Sequence, residues 1–310
     1  PLNAGFKANF SIDPGDPTVR SVTVKTPSIR IDPKIGRVVD MGPTGDIPVT
    51  GDGGNNDYTN VVDLAPTADR DSGGITMGGG VGVSVHGSHR VAGDRTMFAM
   101  PETGIGFFPD VGGTYFLPRM PKSTGVYCAL SAGRLKQADA LETGVITHAS
   151  TRAELASLMT ALEESTDVDA TLERFQAQSG ASSLMEKADL IDAIFSAGSV
   201  EDIMKRLDAS DDPWAEKTAA AIRAKSPISV HIAFEQMRRG AELNFNDCMK
   251  LEYRIVSHVL KGHDFYEGVR ALLVDKDQAP KWQPKQLDQV DTSSLAVYFE
   301  EPVSGDLPLD

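Results

Sequence analysis

The sequence is short of cysteine, of positive charge and of long hydrophobic runs. Two cysteines in 310 residues, Cys128 and Cys248, exclude a disulfide scaffold and fit a reducing compartment. Both read as small buried hydrophobes. No apolar run approaches the roughly 20 residues that cross a bilayer, so no membrane partner is expected. Lys and Arg number 30 against 44 Asp and Glu, a formal charge of −14. That balance argues against nucleic acid as a partner and leaves room only for a local basic pocket. The six histidines are scattered, with only His86 and His89 close in sequence, so no metal site is expected. Dinucleotide and phosphate-loop fingerprints are absent. A Ser84, His86, Asp110 triad can be drawn, but no G-x-S-x-G elbow supports it. Cys128 sits in a helical pattern with no activating base.

The first 73 residues also lack apolar periodicity. VRSVTV at 19–24 and IRI at 29–31 alternate as strands do. The stretch MGPTGDIPVTGDGGNNDYTN is a series of turn signals. PLNAGFKANFSI at the start shows no signal-peptide arrangement, so no targeting segment is visible.

What the chain does have is concentrated in residues 75–119, ITMGGGVGVSVHGSHRVAGDRTMFAMPETGIGFFPDVGGTYFLPR. A glycine triplet at 78–80 predicts a turn opening a buried helix, followed by a return and a short strand ending near Met100. Residues 101–110 read as a loop with an apolar centre at 105–108. A helix is expected from 111 towards 120, limited by Pro118. Short helices follow at 124–131 and 136–142, with a last strand at Val145 and Ile146. From 151 the pattern turns helical, strongest at 244–260, where Phe245, Met249, Tyr253, Ile255 and Val259 form an apolar stripe. Ser199 predicts a helix cap with Asp202 at the third helical position. The tail from 278 is Pro-rich and ends in an acidic segment that reads as mobile. The fold class is α/β: a core over 1–150, irregular through 1–73, and a helical region over 151–310.

Glu102 and Asp110 flank the apolar loop, eight positions apart. A carboxyl in an apolar pocket has a raised pKa, which suits general acid or base work. The other roles open to them are a solvated loop carboxylate for Glu102 and a helix cap for Asp110. Backbone N–H groups of the glycine triplet suit an oxyanion on a carbonyl, and equally a helix packed close on a sheet. Lys250, Arg254, Lys261, Arg270, Lys276 and Lys281 suit either an anionic group's phosphates or a solvated helical face. Trp282 and Phe265 read as core or interface anchors.

MGGGVGVSVHGSHRV, FAMPETGIGFFPDVGGTYFLPR and NDCMKLEYRIVSHVLKGHDFYEGVRALLVDKDQAPKWQP resemble the enoyl-CoA hydratase/isomerase (crotonase) superfamily, and within it the 3-hydroxyisobutyryl-CoA hydrolase family. The resemblance covers roughly residues 74–282. It implies a crotonase-like spiral of ββα units with a C-terminal helical region, an acyl-CoA substrate and no separate cofactor. Hydratases of the superfamily carry a second catalytic glutamate where this chain has Gly82, and glycine where it has Asp110. The hydrolase reading implies that Gly79 donates to the thioester carbonyl oxygen and Glu102 acts at that carbonyl, either activating water or attacking to give an acyl-enzyme anhydride. Asp110 would then bind the 3-hydroxyl or orient water. It sets Gly45, Gly78, Gly80, Phe107, Phe265 and Lys276 against the substrate, with Gly45 as the upstream oxyanion donor and Gly53 or Gly54 as alternatives. The departure is upstream: 34 positions from Gly45 to Gly79 are few for the helices and strand between the two donors. The implied pathway is valine breakdown, and homo-oligomers occur in the superfamily. The implied location is the cytoplasm in a bacterium or the mitochondrial matrix in a eukaryote. The competing readings are a hydratase or isomerase of another acyl-CoA, and a non-catalytic relative that binds CoA thioesters.

Overall fold

The computed structural model describes residues 7–8, 24–25, 28–32, 37–41, 61–63, 75–77, 79–82 and 84–309. Gly45, Gly53, Gly54 and Gly78 lie outside them, as does the 19–24 strand apart from Val24. Two antiparallel pairs come first: β1 (Lys7–Ala8) with β2 (Val24–Lys25), and β3 (Ser28–Asp32) with β4 (Arg37–Met41). The IRI expected as a strand lies in β3.

The core begins with β5 (Val61–Asp63), β6 (Ile75–Met77), β7 (His89–Ala92), β8 (Met97–Ala99), β9 (Leu135–Lys136) and β10 (His148–Ala149). They form two three-stranded sheets, β10-β7-β5 and β6-β8-β9. The first is parallel throughout; in the second β6 and β8 are parallel and β9 is antiparallel to β8. From β5 to β8 the chain changes sheet at every strand. Helices follow the strands: α1 (Gly79–Gly82) after β6, then α2 (Gly113–Phe116) and α3 (Thr124–Ser131) after β8, and α4 (Gln137–Glu142) after β9. This winding of strand, strand and helix is the spiral that the resemblance implies.

Beyond it come α5 (Leu155–Glu164), α6 (Val168–Arg174), α7 (Ala188–Phe195), α8 (Val200–Asp208), α9 (Pro213–Arg223), α10 (Pro227–Gly240), α11 (Phe245–Val259) and α12 (Asp264–Val269). The cap read at α8 is present, with Asp202 N–H donating to Ser199 Oγ at 3.1 Å. The sheets and several of these helices share one core. Phe98, Met100, Leu117, Leu130 and Leu135 from the spiral are buried with Ile191, Ile203, Ile222 and Val230 from the helices. A second cluster joins Phe108 of the loop to Ile232, Leu251, Ile255 and Val259, the buried faces of α10 and α11. Amphipathic helices are stabilised mainly by such burial rather than by propensity. Among the described residues no helix is long and apolar enough to cross a membrane.

Four expectations are corrected. α1 is four residues long, and Ser84 Oγ turns back to bond Gly80 O at 2.7 Å, as serine does when it competes with a helix ladder. The helix expected over 111–120 divides into α2 and a 3₁₀ turn, Leu117–Arg119, with Pro118 inside it. Val145 and Ile146 are buried core residues, and the strand lies at His148–Ala149. The tail is docked rather than mobile. Its 3₁₀ helix, Thr292–Phe299, buries Leu295 and Phe299 in the second cluster. Arg254 of α11 pairs with Asp306, and Trp282 Nε1 donates to Ala224 O at 3.2 Å. The absence of apolar runs hid this, because a few well-placed rings suffice to anchor an irregular strap.

Candidate active site

β8 ends at Ala99, and Pro101 leads into a 3₁₀ turn, Glu102–Ile105, that starts on the first acid. Gly106 closes this turn in the left-handed region at φ 72°, its N–H bonded to Glu102 O. Phe107 N–H donates to the same carbonyl at 3.0 Å. The turn is pressed against α12 by two glycines. A Cβ on Gly106 would stand 2.2 Å from Asp264 O, and one on Gly268 would stand 2.2 Å from Ile105 O. Asp264 is itself anchored by Ser226 Oγ at 2.6 Å and Gln283 N–H at 2.9 Å. Ser226 N–H in turn donates to Thr103 O. The backbone around Glu102 is therefore fixed from α10, α12 and the tail together.

Glu102 is 5% exposed, and its Oε2 has no hydrogen-bond partner among the described residues. Burial pushes its carboxyl up to about 8, and the charge of Asp110 adds to the rise. Burial also pushes Asp110 up to about 6. The loop thus brings the two sequence-predicted acids into electrostatic contact and separates their titrations, the pattern by which one site holds an acid and a base. Asp110 does not cap α2. The N-cap is Gly112, with no side-chain cap, and the backbone carbonyl of Asp110 accepts from Gly113 N–H at 2.8 Å.

The turn after Asp110 is unusual. Val111 has φ 52° and Gly112 φ 89°, so two successive residues are left-handed, one of them β-branched. His86 Nε2 donates to Val111 O at 2.8 Å, and its ring occupies the space a Cβ on Gly112 would need. Val111 also faces Gly82: a Cβ there would stand 2.7 Å from Val111 Cβ. No side chain at 82 fits without moving the Asp110 turn.

Gly79 opens α1 directly after β6, and Gly80 follows it. Phe107 and Phe265 meet at 5.3 Å between ring centroids, both partly buried against the second core cluster. Lys276 is exposed, at φ 57°, between Asp275 and Asp277. Arg270 binds both of those aspartates and Glu267, and Arg254 binds Asp306, so these two arginines are engaged within the chain. The drawn triad does not form, because Ser84 Oγ and His86 Nε2 both end on backbone carbonyls. Cys128 and Cys248 are buried, their thiols pushed up to about 12 and about 11, which leaves no thiolate nucleophile at neutral pH.

Sequence reasoning missed Glu252. It is 8% exposed on α11, and its carboxyl, pushed up by burial to about 7, accepts from Gly112 N–H and Thr114 N–H. The available signal was a glutamate inside the buried stripe of Cys248, Leu251, Ile255 and Val259.

A family described as enoyl-CoA hydratase/isomerase matches residues 72–299. A 3-hydroxyisobutyryl-CoA hydrolase, mitochondrial, of Danio rerio is 44% identical over 246 residues, covering 76% of this chain and 64% of that protein. The chain therefore spans less than two thirds of that relative's length. Among solved structures, a carnitinyl-CoA dehydratase from Mycobacterium thermoresistibile is 36% identical with a TM-score of 0.73, covering 81% of this chain and 70% of the other. An enoyl-CoA hydratase from Rhodobacter sphaeroides is 34% identical with a TM-score of 0.68, covering 74% and 67%.

Proposed function

This chain belongs to the enoyl-CoA hydratase/isomerase family, and from that membership we propose that it hydrolyses the thioester of 3-hydroxyisobutyryl-CoA, a step of valine breakdown. The observation that carries the reading is the buried carboxyl of Glu102 beside the half-buried carboxyl of Asp110, with no second acid at Gly82. The 44% identity to a 3-hydroxyisobutyryl-CoA hydrolase supports the substrate. The contact of Val111 with the space above Gly82 supports hydrolysis over hydration, since a carboxylate at 82 has no room to face the site.

In this reading Glu102 Oε2, which has no partner among the described residues, accepts a proton from water. The water oxygen attacks the thioester carbon, and the charge that develops on the carbonyl oxygen is held by the N–H of Gly79. Collapse of the tetrahedral species breaks the C–S bond, and the proton on Glu102 passes to the sulfur. Free CoA and 3-hydroxyisobutyrate leave. Asp110, ionised at neutral pH, accepts from the 3-hydroxyl and orients the acyl group. Phe107, Phe265 and Lys276 are assigned to the CoA side, and Gly45 to the upstream oxyanion donor.

Following thiol release with purified protein tests the activity, with hydration of an enoyl-CoA measured in parallel. Thioester cleavage without hydration is expected. Hydration alone would move the chain to the hydratase reading, and neither activity would leave a non-catalytic CoA-thioester binder.

The acids also predict a pH profile. Glu102 works as a base only when ionised, so kcat/KM should fall about tenfold per unit of pH below a midpoint near 8. Asp110→Asn removes the like charge that raises Glu102. The midpoint should therefore move to lower pH, even as kcat falls. A rate profile measured from about pH 6 to 9.5 checks this, and a midpoint unmoved in the variant would sink the coupling.

A further inference from the structure

We propose that Glu252 is a positioning residue for this reaction, gripping through both carboxylate oxygens the turn that carries Asp110. The inference rests on the hydrolase reading for its catalytic arm.

The chain makes this turn at some expense in conformation. Val111 and Gly112 are both left-handed, and a β-branched residue adopts that conformation only where its surroundings hold it. Three side chains from three places in the chain do the holding. His86 donates to Val111 O at 2.8 Å. Gln236 of α10 donates through Nε2 to Pro109 O and Thr114 Oγ1, each at 2.6 Å. Glu252 of α11 takes Gly112 N–H on Oε2 and Thr114 N–H on Oε1, each at 3.1 Å. These two donors begin a four-residue helix, so no preceding helical turn supplies them with acceptors.

A buried carboxylate is a demanding choice for a brace, because desolvation opposes its charge. Its geometry supplies what a neutral side chain does not: two acceptors, spaced to meet two N–H groups two residues apart. It also lies within the field of Asp110, whose charge raises Glu252 as it raises Glu102. The turn therefore carries Asp110 within the field of two acids, Glu102 with an oxygen that has no partner among the described residues and Glu252 clamped to the backbone. A turn that loosens moves the Asp110 carboxyl while leaving the CoA side of the site in place. The expected signature is a loss in kcat rather than in KM.

The test uses Glu252→Gln in the full chain. Glutamine keeps the shape but sets an NH₂ against one of the two N–H groups. We expect kcat for 3-hydroxyisobutyryl-CoA to fall about 10²-fold, the scale of a displacement of about 1 Å, with KM changed less than about threefold. In an Asp110→Asn background the same substitution should change kcat by less than about threefold, because its effect passes through Asp110. Losses that multiply in the double variant would mark Glu252 as a general brace and overturn the proposal. Hydrogen exchange supplies an arm that needs no substrate. The amides of residues 110–116 should exchange about tenfold faster or more in Glu252→Gln at an unchanged unfolding midpoint. Unchanged exchange would overturn the clamp itself. A wild-type protein that does not cleave this thioester would sink the hydrolase reading, and the exchange arm then decides the clamp alone. Should the glutamine variant fail to fold, Glu252→Asp, one methylene shorter, goes through the same cycle, with a smaller loss expected.

Discussion

Glu102→Gln is expected to lower kcat for thioester hydrolysis by about 10³-fold, within the 10²–10⁴ range of a positioned general base. The substitution is close to isosteric in a site that is 5% exposed, so the loop should keep its course. What disappears is a buried carboxylate oxygen that is basic near neutral pH and has no hydrogen-bond partner among the described residues. Stability should move the other way. The folded-state pKa, about 8, lies above the ordinary value of 4.5. Between those two values the folded state holds a proton that the unfolded chain releases, so the wild type loses stability as pH rises through that window. The glutamine variant has no such loss. Its advantage in unfolding midpoint should be absent near pH 4.5, grow towards pH 8 and level off above it. Activity lost and stability gained together is the behaviour of a strained catalytic group. Thiol release that persists in the variant, or an advantage that shrinks as pH rises, would count against the role given to Glu102.

The largest effect on the fold is expected from Gly106→Ala, about 4 kcal/mol or more, or failure to fold. Two penalties add. A left-handed conformation at φ 72° disfavours any residue with a Cβ by roughly 1–2 kcal/mol. The new Cβ would also meet backbone, at 2.2 Å from Asp264 O, 2.3 Å from its carbonyl carbon and 2.7 Å from Phe265 N. Nothing there is a flexible side-chain end that swings aside, and Asp264 is tied to Ser226 and Gln283. Relief requires α12 to leave the Glu102 turn, which exposes apolar surface and moves the Glu102 carboxyl. Gly144→Ala is the matched control: its φ is 76°, but nothing lies within 4 Å of the added carbon. Denaturant unfolding of both variants separates conformation from contact. Equal losses would mean that the approach of α12 contributes nothing.

Much of the candidate site is visible in the sequence because it is local. Glu102, Gly106, Asp110 and Gly112 fall within one short loop, and the alternation of glycine with acid marks a turn that brings carboxyls near backbone. The winding of the core is what the family resemblance implies, since the residues by themselves indicate only short strands and helices in an α/β order. Glu252 was hidden because its partners lie 140 and 138 positions away, and helical periodicity treats a glutamate in an apolar stripe as a defect. The tail was hidden because irregular backbone has no period, although Leu295 and Phe299 bury it as firmly as a helix would.

The sequence by itself determined the class of fold, the family resemblance, the two acids and the absence of an acid at position 82. Each depends on residue type and near-neighbour spacing, which the covalent chain sets. Only the tertiary structure decided how those residues are held. Burial raised Glu102 to about 8 and Asp110 to about 6, and a carboxyl's affinity for its proton depends on what surrounds it. Val111 filled the space above Gly82, Glu252 reached back from α11 to the Asp110 turn, and α12 fitted against the Glu102 turn through Gly106 and Gly268. These are contacts between segments far apart in the chain, and packing creates them only once the whole core has formed.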